Sequence, residues 1–197
     1  LVYLLWSIIQ DNAVRNDDDL ALFFYGSTTT PQKQAWDWLV NDKYLGATDN
    51  PPPRQVLERY ALAVLYYSTD GPNWQDSGIE FLDGSDVCDW NNNFPLEDEN
   101  GRGAFCGDGS YVQTLRLTEF GLSGTIPWEL SLLSDLSILF FRGNGLSGTL
   151  PTELSVLTAL QRFSVHENNM QGTIPTEWGQ MTALTDFRLS YNNFSGT

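Results

Sequence analysis

Apolar side chains return every 24 positions from Val112 to the end of the chain. Leu115, Leu139, Phe163 and Phe187 form one column, and Leu117, Phe141, Val165 and Leu189 the next. Asn144, Asn168 and Asn192 follow, with Phe120 in the corresponding place of the first copy. Then come Leu122, Leu146, Met170 and Phe194, the glycines 124, 148, 172 and 196, and the pairs Ile126-Pro127, Leu150-Pro151 and Ile174-Pro175. No insertion breaks the register. Such a period predicts an α/β solenoid of stacked coils, each a short strand, a turn at Asn and a return through Gly-x-Ile-Pro. The Asn side chains are placed to bond the backbone of neighbouring turns, where buried polar groups need partners. A stack of this kind presents a long exposed face and no deep reactive pocket.

Upstream the pattern changes period. Residues 1–15 read as a helix with Leu4, Leu5, Ile8 and Ile9 on one side, broken at Asn16 to Asp19. Leu20 to Tyr25 is an apolar run that periodicity leaves open between strand and helix. Thr30-Pro31 has the form of a helix start, Thr as N-cap and Pro at the first helical position. After the stiff Asn50 to Pro53 break, residues Arg54 to Ser68 carry Val56, Leu57, Tyr60, Ala61, Val64, Leu65 and Tyr67 at three- and four-residue steps, one wide apolar stripe. Asp70 to Asn73 ends that helix in a turn. Residues 74–111 are rich in Asp, Asn and Gly, yet hold Trp74, Phe81, Trp90, Phe94 and Phe105, as a loop-built cap over one end of the coils would. The organisation expected is a helical region over 1–69, a cap over 70–111, and at least four repeats over 112–197, the last incomplete.

The 197 residues are 41% hydrophobic, enough for a substantial core, and seven Trp fit large caps. The net charge of −15 argues against duplex nucleic acid or an anionic membrane surface as partners. The acid is uneven: residues 1–111 hold 18 of the 25 carboxylates and 6 of the 10 Lys and Arg. Cys88 and Cys106 are too far apart for C-x-x-C redox or zinc chemistry. Lying just before the first coil, they read as a disulfide of an oxidising compartment, with two buried thiols as the alternative. Asn193-Phe194-Ser195 is the sole N-glycosylation sequon. Leu1 to Ile9 is too short to span a bilayer, and without a preceding basic residue it is a poor signal peptide. No Met opens the chain, and Gly196-Thr197 falls inside a repeat. Further residues are therefore expected beyond both ends, and whether a membrane anchor lies outside this chain is left open.

Leu122-Ser123-Gly124-Thr125-Ile126-Pro127, Leu146 to Pro151 and, less closely, Met170 to Pro175 resemble the plant-type leucine-rich repeat, whose consensus contains L-S-G-x-I-P. Cys88-Asp89-Trp90 with Cys106 resembles that family's N-terminal C-x-W…C cap. The stretch from Thr30-Pro31-Gln32 through Arg59 to Thr69 and on to Trp74 resembles the diatom-type family of cell-surface repeat proteins. Phe120 and the long Asn91–Gly103 stretch depart from the pattern. The resemblance implies a curved repeat array with a disulfide-bonded cap behind a helical region. It implies a secreted or cell-surface, receptor-like module.

In that architecture the x positions of L-x-L-x-x point outward from the sheet on the concave side, because strand side chains alternate. The outward columns are Thr114, Ile138, Arg162, Asp186; Arg116, Phe140, Ser164, Arg188; Thr118, Arg142, His166, Ser190; and Glu119, Gly143, Glu167, Tyr191. They contain every Arg of the repeats and the chain's one His. Arg116, Arg142, Arg162 and Arg188, with His166 and the platforms Phe140 and Tyr191, are the candidate ligand-binding residues, since guanidinium pairs carboxylate, sulfate or phosphate bidentately. An acidic glycan, an acidic protein segment or the acidic part of a second copy would fit. In the opposing reading the arginines only offset Glu119, Glu167 and Asp186 beside them.

Thr125, Thr149, Thr173 and Thr197 make a further column, about 4.8 Å per step. Such a ladder suits ordered water or ice, or serves turn geometry alone. Asp83, Asp86 and Asp89, or Glu97, Asp98 and Glu99, read as solvated acidic loops, not metal sites: Leu96 stands where an EF-hand loop needs its first ligand. With no G-x-S-x-G, P-loop or H-E-x-x-H, no enzyme and no cofactor are expected. The function expected is recognition of a protein or glycan on the concave face. The alternative is a structural subunit of an extracellular or envelope assembly, with self-association as its mark.

Overall fold

The computed structural model describes Ser7 and residues 30–48, 50–75, 81–91, 101–107 and 111–196. The expected helix over 1–15, the run Leu20 to Tyr25, Glu97 to Glu99 and Thr197 lie outside, apart from Ser7.

The described elements run α1 (Pro31–Leu39), α2 (Lys43–Gly46), α3 (Pro53–Ser68), β1 (Gly103–Cys106), β2 (Val112–Arg116), β3 (Ser123–Thr125), β4 (Ile138–Phe140), β5 (Gly145–Ser147), β6 (Arg162–Ser164), β7 (Gln171–Gly172), β8 (Asp186–Arg188) and β9 (Asn193–Phe194). Thr30 caps α1 through Lys33 N at 3.3 Å. Strands β2, β4, β6 and β8 pair in parallel in the 24-residue register: Leu115 lies beside Leu139, Leu139 beside Phe163, and Phe163 beside Phe187. A second, smaller ladder joins β3 to β5 and β7 to β9. Short 3-10 turns at Trp128–Leu132, Thr152–Val156 and Thr176–Gln180 follow each Pro and complete the coils.

The asparagines work as expected. Asn168 Nδ2 donates to Phe141 O of the coil before it at 2.8 Å and to Val165 O at 2.9 Å, while its Oδ1 accepts from Leu146 N at 2.9 Å. Asn144 and Asn192 repeat the scheme one coil earlier and later. Phe120 instead packs edge-on to Trp74 of the cap, at 6.0 Å between centroids. The coil it opens has no repeat before it whose carbonyls an amide would bind, so an aromatic contact replaces the polar one.

Two features depart from the sequence pattern. First, β1 pairs antiparallel with β2 and extends the sheet to five strands, in the order β1-β2-β4-β6-β8. The expected loop-rich cap therefore contributes a strand, and the disulfide Cys88–Cys106 ties that strand to a short 3-10 turn at Val87–Asp89. Second, α3 is not amphipathic through its middle: every residue from Glu58 to Leu65 is buried. One side joins Ala35, Leu39, Leu45 and Val56, and the other joins the core that runs on through the coils. Its last turn stands in for a preceding coil, with Thr69 O accepting from Ser123 N at 3.1 Å. The approach is so close that a Cβ on Gly124, at φ +110°, would lie 2.2 Å from Ser68 O.

The two charges at the start of that buried stretch are met locally. Arg59 pairs with Asp42, both fully buried, and donates to Ser85 O at 2.7 Å. Its guanidinium sits among Tyr44, Trp90 and Trp38 at 4.7, 5.0 and 5.3 Å. Glu58 accepts from Val112 N at 3.0 Å, so a side chain of α3 caps the first residue of the first parallel strand.

Candidate functional site

Strand alternation aims one side chain in two away from the core, and parallel pairing in register lines them up across coils. An open depression of about 210 Å³ lies on that face of the sheet, lined by Arg116, Thr118, Phe140, Arg142, Arg162, Ser164 and Arg188. Four guanidinium groups and no carboxylate line it. Arg162 lies over the Phe140 ring at 4.8 Å, which holds both side chains across the strands.

The acids stand at its rim. Asp186 accepts two hydrogen bonds from Arg188, each 2.8 Å, and lies 3.5 Å from Arg162. The Arg188 hydrogen bonds, followed by the charges of Arg188 and Arg162, hold its carboxyl below the usual range. Arg142 pairs with Glu167 at 3.1 Å, and Glu167 also meets His166 Nε2 at 3.1 Å. His166 Nδ1 lies 2.8 Å from Ser190 Oγ, and its ring stands edge-on to Tyr191. The predicted residues thus fall in two groups joined by Glu167: an arginine depression, and a His166–Tyr191 corner where Tyr191 is 76% exposed. The three exposed arginines carry their own acidic neighbours, so both ion pairing within the face and an anion-facing depression are present together. These pairs are solvent-exposed, where each contributes under about 1 kcal/mol and exchanges readily.

Arg116 differs from the other three arginines. It is 7% exposed, with Phe105 of β1 at 5.9 Å, and Thr114, opposite Phe105 in the strand register, is 1% exposed. The antiparallel strand covers this end of the face, and Arg102 reaches across to Thr118 O. Phe105 was foreseen only as an aromatic of the cap, and Arg102 not at all, because nothing in a Gly-flanked four-residue segment announces a strand.

The left-handed turn residues Glu119, Gly143, Glu167 and Tyr191, at φ between 56° and 69°, rim the same face. The threonines 125, 149 and 173 are exposed elsewhere. Their Cγ2 methyls lie close against Gly148, Gly172 and Gly196 of the following coil, so the column packs coil on coil. Asp83 and Asp86 are spent inside the cap: Asp83 accepts from Ser85 N and Trp90 Nε1, and Asp86 from Cys88 N and the Tyr44 hydroxyl. Among the described residues no acidic, His or Cys group is arranged to hold a metal. No described helix is long and apolar enough to cross a membrane. Asn193, the sequon residue, is exposed on β9, outside the arginine depression.

No protein-family model matches the chain. No curated protein matches it either. Solved structures do. The chain is similar to a structure of the BIR3–SERK2 complex from Arabidopsis thaliana, at 27% identity over 68% of each chain with a TM-score of 0.55. It is similar to a plant ice-binding protein, at 27% identity over 68% of this chain and 40% of that one, TM-score 0.54. The leucine-rich-repeat ectodomain of the receptor kinase SOBIR1 from Arabidopsis thaliana shares the fold at 21% identity, over 70% of this chain and 67% of that one, TM-score 0.53. The chain spans about a fifth of the length of larger receptor chains, 18% of RGFR1 and 19% of PEPR1. The fold is therefore the plant-type leucine-rich repeat found in receptor ectodomains.

Proposed function

We propose that this chain is a non-enzymatic, extracellular recognition module that binds an acidic protein segment or acidic glycan on the concave face of its repeats. The observation that carries the reading is the depression lined by four arginines and no carboxylate in a protein of charge −15. A planar guanidinium takes carboxylate or sulfate bidentately, and Arg142, Arg162 and Arg188 can exchange a rim carboxylate for a ligand's. Phe140 and the exposed Tyr191 add apolar platforms beside them. The disulfide supports an oxidising, extracellular setting. The N-terminal likeness to diatom-type cell-surface proteins supports the same placement. A glycan on Asn193 would leave the depression open. Protein partners fit the similarity to a receptor-ectodomain complex.

The test compares the protein with an Arg142→Ser, Arg162→Ser, Arg188→Ser variant that leaves the buried Arg116 in place. Titration calorimetry would use polygalacturonate and sulfated oligosaccharides, Asp/Glu-rich peptides, and neutral glucans as control. The reading expects one acidic class to bind, at least about tenfold more weakly to the variant, with affinity falling as salt rises. Equal binding by both proteins, or no acidic binder at all, overturns it. A large ordered particle in light scattering from both proteins would instead favour a structural subunit.

A further inference from the structure

We propose that Asp186 is the resident anion of the arginine depression: a ligand enters by displacing it, and Asp186 thereby sets which anions bind. The inference rests on reading that depression as the anion-binding face. Parallel register sets Asp186 of β8 directly beside Arg162 of β6, and Arg188, two residues further along β8, points to the same side. Arg188 grips the carboxylate with its fork, Nε donating to Oδ1 and Nη2 to Oδ2, each at 2.8 Å. Oδ2 also lies 3.5 Å from Arg162 Nε. One carboxylate thus engages two of the four guanidinium groups that line the depression, while standing outside the lining itself. Its two-pronged contact is the one an incoming carboxylate would make. The other rim acids hold less. Glu167 meets Arg142 through one contact of 3.1 Å and divides itself with His166. Glu119 rims the same face three coils away.

The Arg188 side chain is 60% exposed, so the grip is open to water and gives way to a competitor. The competitor works at a disadvantage, because Asp186 is already tethered in place and loses no translational freedom by binding. Exchange of one carboxylate for another also leaves the number of ion pairs at Arg162 and Arg188 unchanged. Net affinity must then come from what Asp186 does not supply: the Arg142 guanidinium, the Phe140 ring, and further anionic groups on the ligand. A lone small anion gains little from the swap. A ligand with several carboxylates or sulfates in series makes the exchange and keeps the additional contacts, so Asp186 selects for polyvalent acidic partners.

The experiment titrates the full chain with inorganic sulfate, the smallest anion that two guanidinium groups can share. The arginine Nε–H resonances are followed by NMR at constant ionic strength, in the parent, Asp186→Asn and Glu119→Gln. The proposal expects the Arg162 and Arg188 resonances of Asp186→Asn to report sulfate binding at least about fivefold tighter than in the parent, the factor that an exposed ion pair is worth. The gain should shrink as salt rises, because only this variant makes a new ion pair and does not exchange an old one. Glu119→Gln removes the same charge from the same rim and should bind sulfate as the parent does. Equal or weaker binding by Asp186→Asn would show that the acid positions the arginines and does not compete, and overturns the proposal. An equal gain in Glu119→Gln also overturns it, since net charge alone would then explain the effect. The functional reading falls separately. An acidic ligand lost in the three-arginine variant but no tighter in Asp186→Asn keeps that reading and sinks this inference. A selective sulfate gain in Asp186→Asn supports the inference even where no acidic glycan or peptide binds the parent.

Discussion

Asn168 sits at 8% exposure with its amide and carbonyl both committed to backbone. Replacing it by Ala strips a buried N–H and two carbonyls of their partners, so Asn168→Ala should cost about 2–4 kcal/mol in urea unfolding. The first coil inverts the logic. Phe120 stands where the others have Asn, and Phe120→Asn should destabilise by about 3 kcal/mol, because a cavity opens beside Trp74. The Asn column was fully legible in the sequence, since its polar period cannot be met otherwise in a tight coil. The environment of Arg116 was not. Its place in the column forecast an exposed side chain, and only the unforeseen β1 brings Phe105 against it. The remaining candidates fell on one face because the 24-residue register forces them there.

Among the elements, α3 shows where pattern reading stops. Its apolar stripe was plain, but periodicity said nothing of Glu58 and Arg59, which are buried because partners far along the chain enclose them. Arg59→Met should leave Asp42 as a buried charge without its cation and cost about 3–5 kcal/mol in thermal or chemical unfolding. The contact between α3 and β3 is equally tight. Gly124→Ala should cost about 3 kcal/mol or more, from a left-handed backbone and a carbonyl already in the way. The strand β1 was invisible to periodicity at four residues, yet the cysteine that holds it was conspicuous. Reduction closes no loop of about 18 residues in the unfolded chain, so calorimetry with and without reductant should show about 3 kcal/mol less stability.

At the scale of the whole molecule, charge and one-dimensional order dominate. The −15 net charge repels itself, and the exposed pairs on the sheet face are too weak to offset it. Raising NaCl from 10 to 150 mM should therefore raise the melting temperature by about a few degrees, and a fall would mean that the surface pairs prevail. The asparagine ladder also has a direction. Each Asn reaches back to the carbonyls of the coil before it and accepts the amide that closes that coil's turn. A coil is therefore sealed only by its successor. On a ribosome, where the N-terminal end emerges first, each coil would wait for the next Asn, about one repeat of synthesis behind its own appearance. The nascent chain would carry a single unsealed turn at its growing tip, advancing as translation proceeds.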